Sequence, residues 1–214
     1  MKLIHADCLE VMKEMPDNSV DCVVTDPPYG IGEAAGKNKT RGERVPATDY
    51  GVLDWDNAPP NQDYFDELIR VSKNQVIFGG NFFDLPPSPC WIVWDKDNGA
   101  CDFADCELAW TSFKTAVRLF KYKWHGMLQG NMAHKEKRVH PTQKPLPVME
   151  WIIRNFTQEG ETILDPFMGS GTTGVACAKL GREFMGIELH EPYYEIAKKR
   201  ISEWQGQQRL EASR

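Results

Sequence analysis

The sequence lacks long apolar runs. No stretch approaches the roughly 18 apolar residues of a membrane span, and polar residues interrupt the apolar ones at the N-terminus too early for a signal-peptide core. No two cysteines form a Cys-x-x-Cys pair, which argues against zinc sites and redox motifs of that spacing. We therefore expect a cytoplasmic protein with reduced thiols, most of them in apolar runs, at Cys8, Cys22, Cys90, Cys101, Cys106 and Cys177.

Internal repeats and low-complexity tracts are also missing. The 214 residues, of which 41% are hydrophobic and 26% charged, are typical of a single globular α/β domain covering residues 1–214. Only the last ten residues, 205–214, resemble a frayed tail.

Positive charge is scarce overall, because the formal net charge is -6, but it is unevenly placed. Residues 114–144 contain eight Lys or Arg against the single acid Glu136, a net charge of +7 within that segment. An average charge conceals such a segment, so the acidic total does not exclude a polyanionic partner.

Short apolar runs alternate with helix-like stretches along most of the chain. We predict seven strands at 2–7, 20–26, 75–80, 90–95, 106–112, 161–165 and 184–189, and helices at 8–15, 64–73, 148–156, 173–180 and 193–204. This alternation predicts a doubly wound, mostly parallel, Rossmann-like sheet. No helix fits between the fourth and fifth strands, which are predicted to form an antiparallel hairpin at one edge.

A glycine-rich turn follows the sixth predicted strand. Gly169, Gly171 and Gly174 match G-x-G-x-x-G, and Glu188 ends the next strand at a distance suited to ribose hydroxyls. No Gly-Lys-Ser/Thr follows, which excludes a P-loop. Asp165 at the strand end would repel a pyrophosphate, so a cationic nucleoside, S-adenosylmethionine, fits the turn better than a dinucleotide.

A second turn, Asp26-Pro27-Pro28-Tyr29, follows the second predicted strand. The carboxyl ends of parallel strands line one crevice, so Asp26 and Asp165 should lie close together. Asp26 and the Pro27 carbonyl could accept both N–H hydrogens of an exocyclic base amino group, and Tyr29 could stack on a flipped base. Asp-Pro-Pro is also a common loop opening, and only the presence of the glycine-rich turn at 169–174 favours the catalytic interpretation.

Four motifs together resemble the permuted, beta-class DNA amino-methyltransferases. They are TDPPYG (25–30), HPTQKP (140–145), DPFMGSGTT (165–173) and GIELHEPYYEIAKKRI (186–201). In that family the catalytic turn precedes the cofactor turn, as it does here. The resemblance implies a circularly permuted methyltransferase fold and transfer of a methyl group from S-adenosylmethionine to N6 of adenine in DNA.

The resemblance also assigns roles to individual residues. The catalytic group would be Asp26, Pro27, Pro28 and Tyr29. The cofactor would be held by Asp7, Cys8, Lys144, Asp165, Pro166, Phe167, Gly169, Ser170, Gly171, Thr172, Thr173 and Glu188, and no metal is expected. Asp7 could equally be an ordinary helix N-cap.

Two segments, 30–61 and 113–139, have the length and charge for DNA recognition, because long loops in a compact domain are usually functional or disordered. Their basic residues suit phosphate contacts on double-stranded DNA. The predicted DNA-binding residues are Lys37, Lys39, Arg41, Arg44, Lys121, Lys123, Lys135, Lys137, Arg138 and His140. A solvated charged loop is the alternative interpretation.

Three other functions remain compatible with the sequence. Cytosine N4 methylation more often goes with Ser in place of Asp26, and RNA or protein-amide acceptors usually go with Asn there. A catalytically silent DNA-binding subunit would be expected to lose the acid or the glycines, which are all present. A homodimer and a companion restriction enzyme are left open.

Overall fold

A computed structural model describes residues 1–31, 58–99, 104–125 and 128–212 of the 214-residue chain, with side chains described as far as residue 206. These residues contain an eight-stranded sheet. Its strands are β1 (Lys2–His5), β2 (Val20–Thr25), β3 (Ser72–Phe78), β4 (Trp91–Asp95), β5 (Cys106–Thr111), β6 (Arg118–Lys121), β9 (Thr162–Asp165) and β10 (Glu183–Glu188). A separate two-stranded sheet pairs β7 (Trp124–His125) with β8 (Leu128–Gln129).

The strands of the large sheet lie in the order β1-β10-β9-β2-β3-β5-β4-β6. Every neighbouring pair is parallel except the two that involve β5, which pairs antiparallel with both β3 and β4. The predicted doubly wound, mostly parallel sheet with an antiparallel hairpin is thereby confirmed. The hairpin is not the outermost element, however, because β6 pairs with β4 and covers it.

Five helices flank the sheet: α1 (Cys8–Lys13), α2 (Gln62–Val71), α3 (Leu146–Phe156), α4 (Thr172–Leu180) and α5 (Glu191–Ala212). They pack on both faces. Val23 points into a core with α1 and α2, whereas its neighbours Cys22 and Val24 point into a core with α3, α4 and α5. This alternation follows from the two-residue period of a strand that is buried on both faces.

Several element boundaries differ from those predicted from the sequence. Helix α2 ends at Val71, because Ser72 turns its hydroxyl back to the Leu68 carbonyl (2.6 Å) and the chain enters β3 at once. Helix α5 continues to Ala212, so the frayed tail predicted from residue 205 is wrong. Strand β6 was missed because Arg118–Lys121 is short and basic, and its strand form depends on pairing with β4.

The centre of the sheet is a topological switch point. From β9 the chain proceeds outward to β10, and from β2 it proceeds in the opposite direction to β3. Strands β2 and β9 are parallel neighbours, with Val23 beside Leu164, so Thr25 and Asp165 end at the same edge. Ligands of open α/β sheets bind in the crevice that such a reversal creates.

Three of the five described cysteines are buried and two are half-buried, and all five are free thiols; Cys101 lies outside the described residues. Among the helices of the described part of the chain, none combines the length and apolarity that a membrane crossing requires.

We expect Gly171→Ala to destabilise the fold through two separable effects. Gly171 has φ of +79° and its Cβ would lie 2.8 Å from Ala197 Cβ on α5, whereas Gly160 has φ of +82° with nothing within 4 Å. Gly160→Ala should therefore cost only the left-handed strain of about 1–2 kcal/mol, and Gly171→Ala about 1–3 kcal/mol more from overpacking. Urea unfolding at equal m-value measures both; equal losses would show that α5 yields to the added methyl group.

Candidate active site at the switch point

A cavity of about 460 Å³ opens at the carboxyl ends of β1, β2, β9 and β10. Its volume falls within the range of sites for ligands of nucleoside size. Thirteen of the predicted catalytic and cofactor residues line it, namely Asp7, Cys8, Asp26, Pro28, Lys144, Asp165, Pro166, Phe167, Gly169, Ser170, Thr172, Thr173 and Glu188. Pro27, Tyr29 and Gly171 are not in its wall.

The glycine turn between β9 and α4 is shaped by backbone hydrogen bonds to the neighbouring strand. Met168 N donates to the Ile187 carbonyl at 2.9 Å, and Gly169 N donates to Glu188 Oε2 at 2.8 Å. Glu188 Oε1 accepts a second bond, from His190 N at 2.8 Å. One carboxylate thus joins the turn to the end of β10, and each oxygen keeps acceptor capacity for a ligand hydroxyl.

Arg200 holds the same turn from α5, and the sequence analysis missed it. Its Nη1 donates to the Ser170 carbonyl at 2.6 Å and to Ser170 Oγ at 2.9 Å, and contacts Thr172 Oγ1 at 3.3 Å. Arg200 belongs to a run of three basic residues, 198–200, of which the first two are exposed, so the run gave no sign of its inward role. Only its position between the core residues Ala197 and Ile201 on the helix distinguishes it.

Asp165 is buried at the base of the cavity among hydrogen-bond donors. Thr25 Oγ1 and Thr173 Oγ1 donate to its two oxygens at 2.9 and 2.6 Å, and Phe167 N adds a bond at 3.2 Å. Burial nevertheless raises its pKa to about 7, against the opposing effect of these bonds. No cation among the described residues forms an ion pair with Asp165, and such a buried acid suits a ligand that brings positive charge.

S-adenosylmethionine fits this donor and acceptor set. Its ammonium and sulfonium can offset the buried Asp165, its carboxylate can meet the amides at the start of α4, and its ribose can meet Glu188. A pyrophosphate would instead face the carboxyl groups of Asp165 and Glu188. The arrangement of Asp165 and Glu188 in one cavity therefore agrees with the cationic nucleoside expected from the sequence.

At the far end of the cavity, Asp7 is an N-cap as well as a wall residue. Its Oδ1 accepts hydrogen bonds from Leu9 N at 2.8 Å and Glu10 N at 3.4 Å at the start of α1. The N-cap role is thus observed, and the position of Asp7 in the cavity wall leaves its role in cofactor binding a prediction. Beside it, burial raises the pKa of the Cys8 thiol to about 12, so Cys8 lines the wall as a neutral group.

His140 lies in the cavity wall and not with the exposed basic residues among which it was predicted. It is 8% exposed, its ring lies 4.1 Å from that of Tyr193, and burial lowers its pKa to about 3. A neutral, enclosed imidazole does not fit the phosphate contact expected of it. Both His140 and Lys144 of the HPTQKP motif therefore lie in the cavity wall.

The Asp26 turn brings an acid and an aromatic ring together as predicted. Tyr29 hydroxyl donates to Asp26 Oδ1 at 2.6 Å, and its ring stacks on Phe82 with centroids 5.0 Å apart. A Cβ on Gly79 would lie 2.1 Å from the Tyr29 ring, so only glycine permits this position. Asp26 reaches the cavity while Tyr29 lies behind it against the end of β3.

Lys144 contacts the Asp26 turn directly. Its ammonium forms an ion pair with Asp26 and lies 3.4 Å from the Tyr29 hydroxyl. Glu107 of β5, which the sequence analysis did not single out, lies 3.1 Å from the same ammonium. A charged residue within the otherwise apolar run CELAW was the available signal for a functional acid.

The predicted DNA-binding residues separate into three groups. Lys121 and Lys123 share Asp97, at 2.7 and 3.6 Å, and Arg138 lies over the Trp124 ring at 4.4 Å. Lys135 and Lys137 are exposed and form no ion pair within the described part of the chain. The last group, Lys37, Lys39, Arg41 and Arg44, lies outside the described residues.

The segment that carries Lys135 and Lys137 is fixed to the body of the protein. Gln129 exchanges two side-chain bonds with the Glu136 backbone, at 2.9 and 2.8 Å. Glu136 in turn accepts from Leu146 N at the start of α3, at 2.9 and 3.1 Å. The one acid of the basic segment therefore anchors it, and the lysines on either side face outward.

Comparison with known proteins gives consistent matches. Residues 59–199 match the DNA methylase family of N6/N4 methyltransferases. The type II methyltransferase M2.DpnII of Streptococcus pneumoniae is 30% identical across 94% of this chain and 89% of its own, and M2.LlaDCHI of Lactococcus lactis subsp. cremoris is 28% identical across 94% and 88%.

Solved structures agree. The complex of M1.HpyAVI with S-adenosylmethionine has a TM-score of 0.57 and 30% identity, and covers 94% of this chain and 98% of that one. The cytosine-N4-specific PvuII methyltransferase shares the fold, with a TM-score of 0.58 at 17% identity over 92% and 85% of the two chains. Since the family match spans more than half of the chain, this protein belongs to the N6/N4 DNA methylase family and is an S-adenosylmethionine-dependent DNA methyltransferase.

Proposed function

We propose that this enzyme methylates N6 of adenine in double-stranded DNA, with the target base turned out of the helix, in the cytoplasm. The observation that carries the proposal is the placement of Asp26 and Asp165 at the ends of neighbouring strands on one cavity. Thr25, the residue before Asp26, donates its hydroxyl to Asp165 at 2.9 Å. The acceptor site and the cofactor site are thus adjacent along two peptide segments.

The cofactor would be held by groups already directed at the cavity. Asp165 and the amides that begin α4 would take the methionine end, Glu188 the ribose, and Asp7 with Cys8 the adenine. When bound, S-adenosylmethionine supplies a methyl group made electrophilic by its sulfonium. The protein supplies the orientation, which can lower the barrier substantially when the reacting atoms are held in line.

On the acceptor side, Asp26 and the Pro27 carbonyl would accept the two N–H hydrogens of the amino group. This orients the nitrogen lone pair toward the cofactor side of the cavity and stabilises the positive charge that develops on nitrogen. The Asp26 carboxylate would then be the adjacent base for the proton that the methylated nitrogen loses. As the family resemblance implies, an acid at position 26 favours adenine over cytosine.

Base capture would use the aromatic residues behind Asp26. Tyr29 and Phe82 form a stacked pair beside Asp26 and outside the cavity wall, and stacking a base on such rings would contribute about 1–3 kcal/mol against an unstacking cost of a few. The segments 30–61 and 113–139 would provide contacts to the duplex, with Lys135 and Lys137 the exposed cations of the latter.

Binding of S-adenosylmethionine should release a proton near neutral pH. The pKa of Asp165 is raised to about 7 in the free protein, and a bound cation would lower it. Affinity should therefore rise with pH up to about 7, by at most about tenfold per unit below it. Calorimetry in buffers of different ionisation enthalpy measures the released proton.

Asp165→Asn should bind S-adenosylmethionine more weakly than the native protein does and should lose most of this pH dependence. In a separate measurement, NAD should not raise the melting temperature of the native protein. Unchanged proton release in Asp165→Asn would contradict the role assigned to this carboxyl group.

DNA affinity should fall steeply with salt concentration because Lys135 and Lys137 contact phosphates. Replacing both with Gln should reduce the slope of log affinity against log salt by up to about two units and leave cofactor affinity unchanged. The matched control, Lys198→Gln with Lys199→Gln, removes the same charge from the exposed side of α5. Equal slopes in the two double variants would identify the 135–137 segment as a solvated surface.

Digested DNA should contain N6-methyladenine after incubation with the enzyme and S-adenosylmethionine. Asp26→Ala should lower turnover by about two orders of magnitude or more while the cofactor still binds, since the acid acts mainly in the transition state. Nucleoside analysis measures the product. N4-methylcytosine alone would contradict the adenine assignment, and near-normal turnover of Asp26→Ala would contradict the mechanism.

A further inference from the structure

Four charged side chains of alternating sign run from the edge of the sheet to the catalytic acid. Lys96, after β4, lies 2.5 Å from Glu107 Oε1. The other oxygen of Glu107 lies 3.1 Å from the Lys144 ammonium, which also forms the ion pair with Asp26. We call these four residues the charged row.

The charged row is largely enclosed. The exposed fractions of the side chains are 9% for Lys144, 18% for Lys96, 20% for Asp26 and 22% for Glu107. Removing charged groups from water costs several kcal/mol each unless they are paired. The two cations and two carboxylates balance, so a change to one member must alter how the others share their charge.

Lys144 is the shared member. Among these four described residues, the Lys144 ammonium is the only cation that lies within 4 Å of two carboxylates, those of Asp26 and Glu107. A stronger interaction with Glu107 therefore weakens its interaction with Asp26. Asp26 Oδ1 already accepts a hydrogen bond from the Tyr29 hydroxyl, and Oδ2 accepts one from the Lys144 ammonium. Asp26 must still be able to accept a hydrogen bond from the amino group of the target base. A carboxylate has about four acceptor sites, so two remain.

We propose that Glu107 is a positioning residue that draws Lys144 partly away from Asp26 and so keeps Asp26 a good hydrogen-bond acceptor for the target amino group. This inference rests on the proposed function of Asp26. Lys96 sets the strength of the effect, because it competes with Lys144 for Glu107.

The pKa shifts agree with this division. Burial raises the pKa of Asp26, Lys144 lowers it and Glu107 raises it, with a net rise. For Glu107, burial alone would raise the pKa, but Lys144 and Lys96 outweigh it and the net shift is downward. Burial lowers the pKa of Lys144, and the two carboxylates more than compensate. Lys144 is therefore charged and shared.

The other groups facing Asp26 are the Tyr29 hydroxyl and, on β9, the carboxyl group of Asp165. Neither is altered by a substitution at Glu107, Lys144 or Lys96. The three substitutions then make opposite predictions for Asp26. In Glu107→Gln the ammonium belongs to Asp26 alone, and the Asp26 pKa should fall by about one unit. In Lys144→Gln and Lys96→Met it should rise by about one unit or more.

The experiment follows Asp26 directly by carbon-13 NMR of protein labelled at the aspartate carboxyl carbon, without cofactor or DNA. The Asp26 resonance is assigned by its loss in Asp26→Asn. The matched control is Glu150→Gln, which removes a Glu–Lys pair, Glu150 with Lys179, of nearly equal exposure (21% for Glu150) that is absent from the cavity wall. It should leave the Asp26 titration in place.

Turnover with DNA provides the second measurement. In Glu107→Gln, kcat should fall by about threefold to tenfold, since a less basic acceptor loses at most about one power of ten per pKa unit. The KM for S-adenosylmethionine should change by less than about twofold, because the effect belongs to the transition state. Glu150→Gln should match the unaltered enzyme in both.

Opposite NMR shifts in Glu107→Gln and Lys96→Met, with lowered kcat in Glu107→Gln, would support the proposal. Shifts of the same sign, or unchanged kcat despite a lowered Asp26 pKa, would overturn it. If Glu107→Gln does not fold, Lys96→Met decides, because it leaves Glu107, Lys144 and Asp26 in place and should raise the Asp26 pKa. Opposite shifts in an enzyme that methylates no DNA at all would contradict the proposed function and not the arrangement of charges.

Discussion

The site depends on two carboxyl groups at the ends of adjacent parallel strands, the buried Asp165 and the half-buried Asp26. Thr25, the residue before Asp26, donates its hydroxyl to Asp165 at 2.9 Å. Burying two acids side by side is unfavourable unless each is stabilised in a different way. The surrounding elements supply those two kinds of stabilisation, and their arrangement accounts for most of the polar contacts in the cavity.

Asp165 is stabilised by neutral donors and Asp26 by an ion pair. Thr25, Thr173 and the Phe167 amide donate hydrogen bonds to Asp165 without adding charge, and burial raises its pKa to about 7 against the lowering effect of these bonds. Asp26 instead receives the Lys144 ammonium and remains an acceptor. Two chemically identical side chains are thus placed in different environments by neighbouring strands and helices, which supports the distinct functions proposed for them, cation binding and base orientation.

The sequence was sufficient for features carried by local signals. Alternation of apolar runs located seven strands, and the glycine turn with Asp165 and Glu188 located the cofactor cavity. Glu107 was not found because its role depends on the antiparallel placement of β5, which brings a residue distant in sequence beside Lys144. His140 was misplaced for a related reason, since its motif is basic in composition but its side chain is enclosed by tertiary packing.

The pairing of β1 with β10 has a consequence for synthesis of the protein on the ribosome. Residues near the start of the chain form one wall of the cavity, and their partners arrive late, as the bond from Ala6 N to the Glu188 carbonyl illustrates. At about 5–20 residues per second, β1 waits roughly 10–40 seconds for its neighbour. Until β10 emerges, the nascent chain contains the Asp26 turn but an incomplete cavity, so the cavity can form only after residues 183–188 have been synthesised.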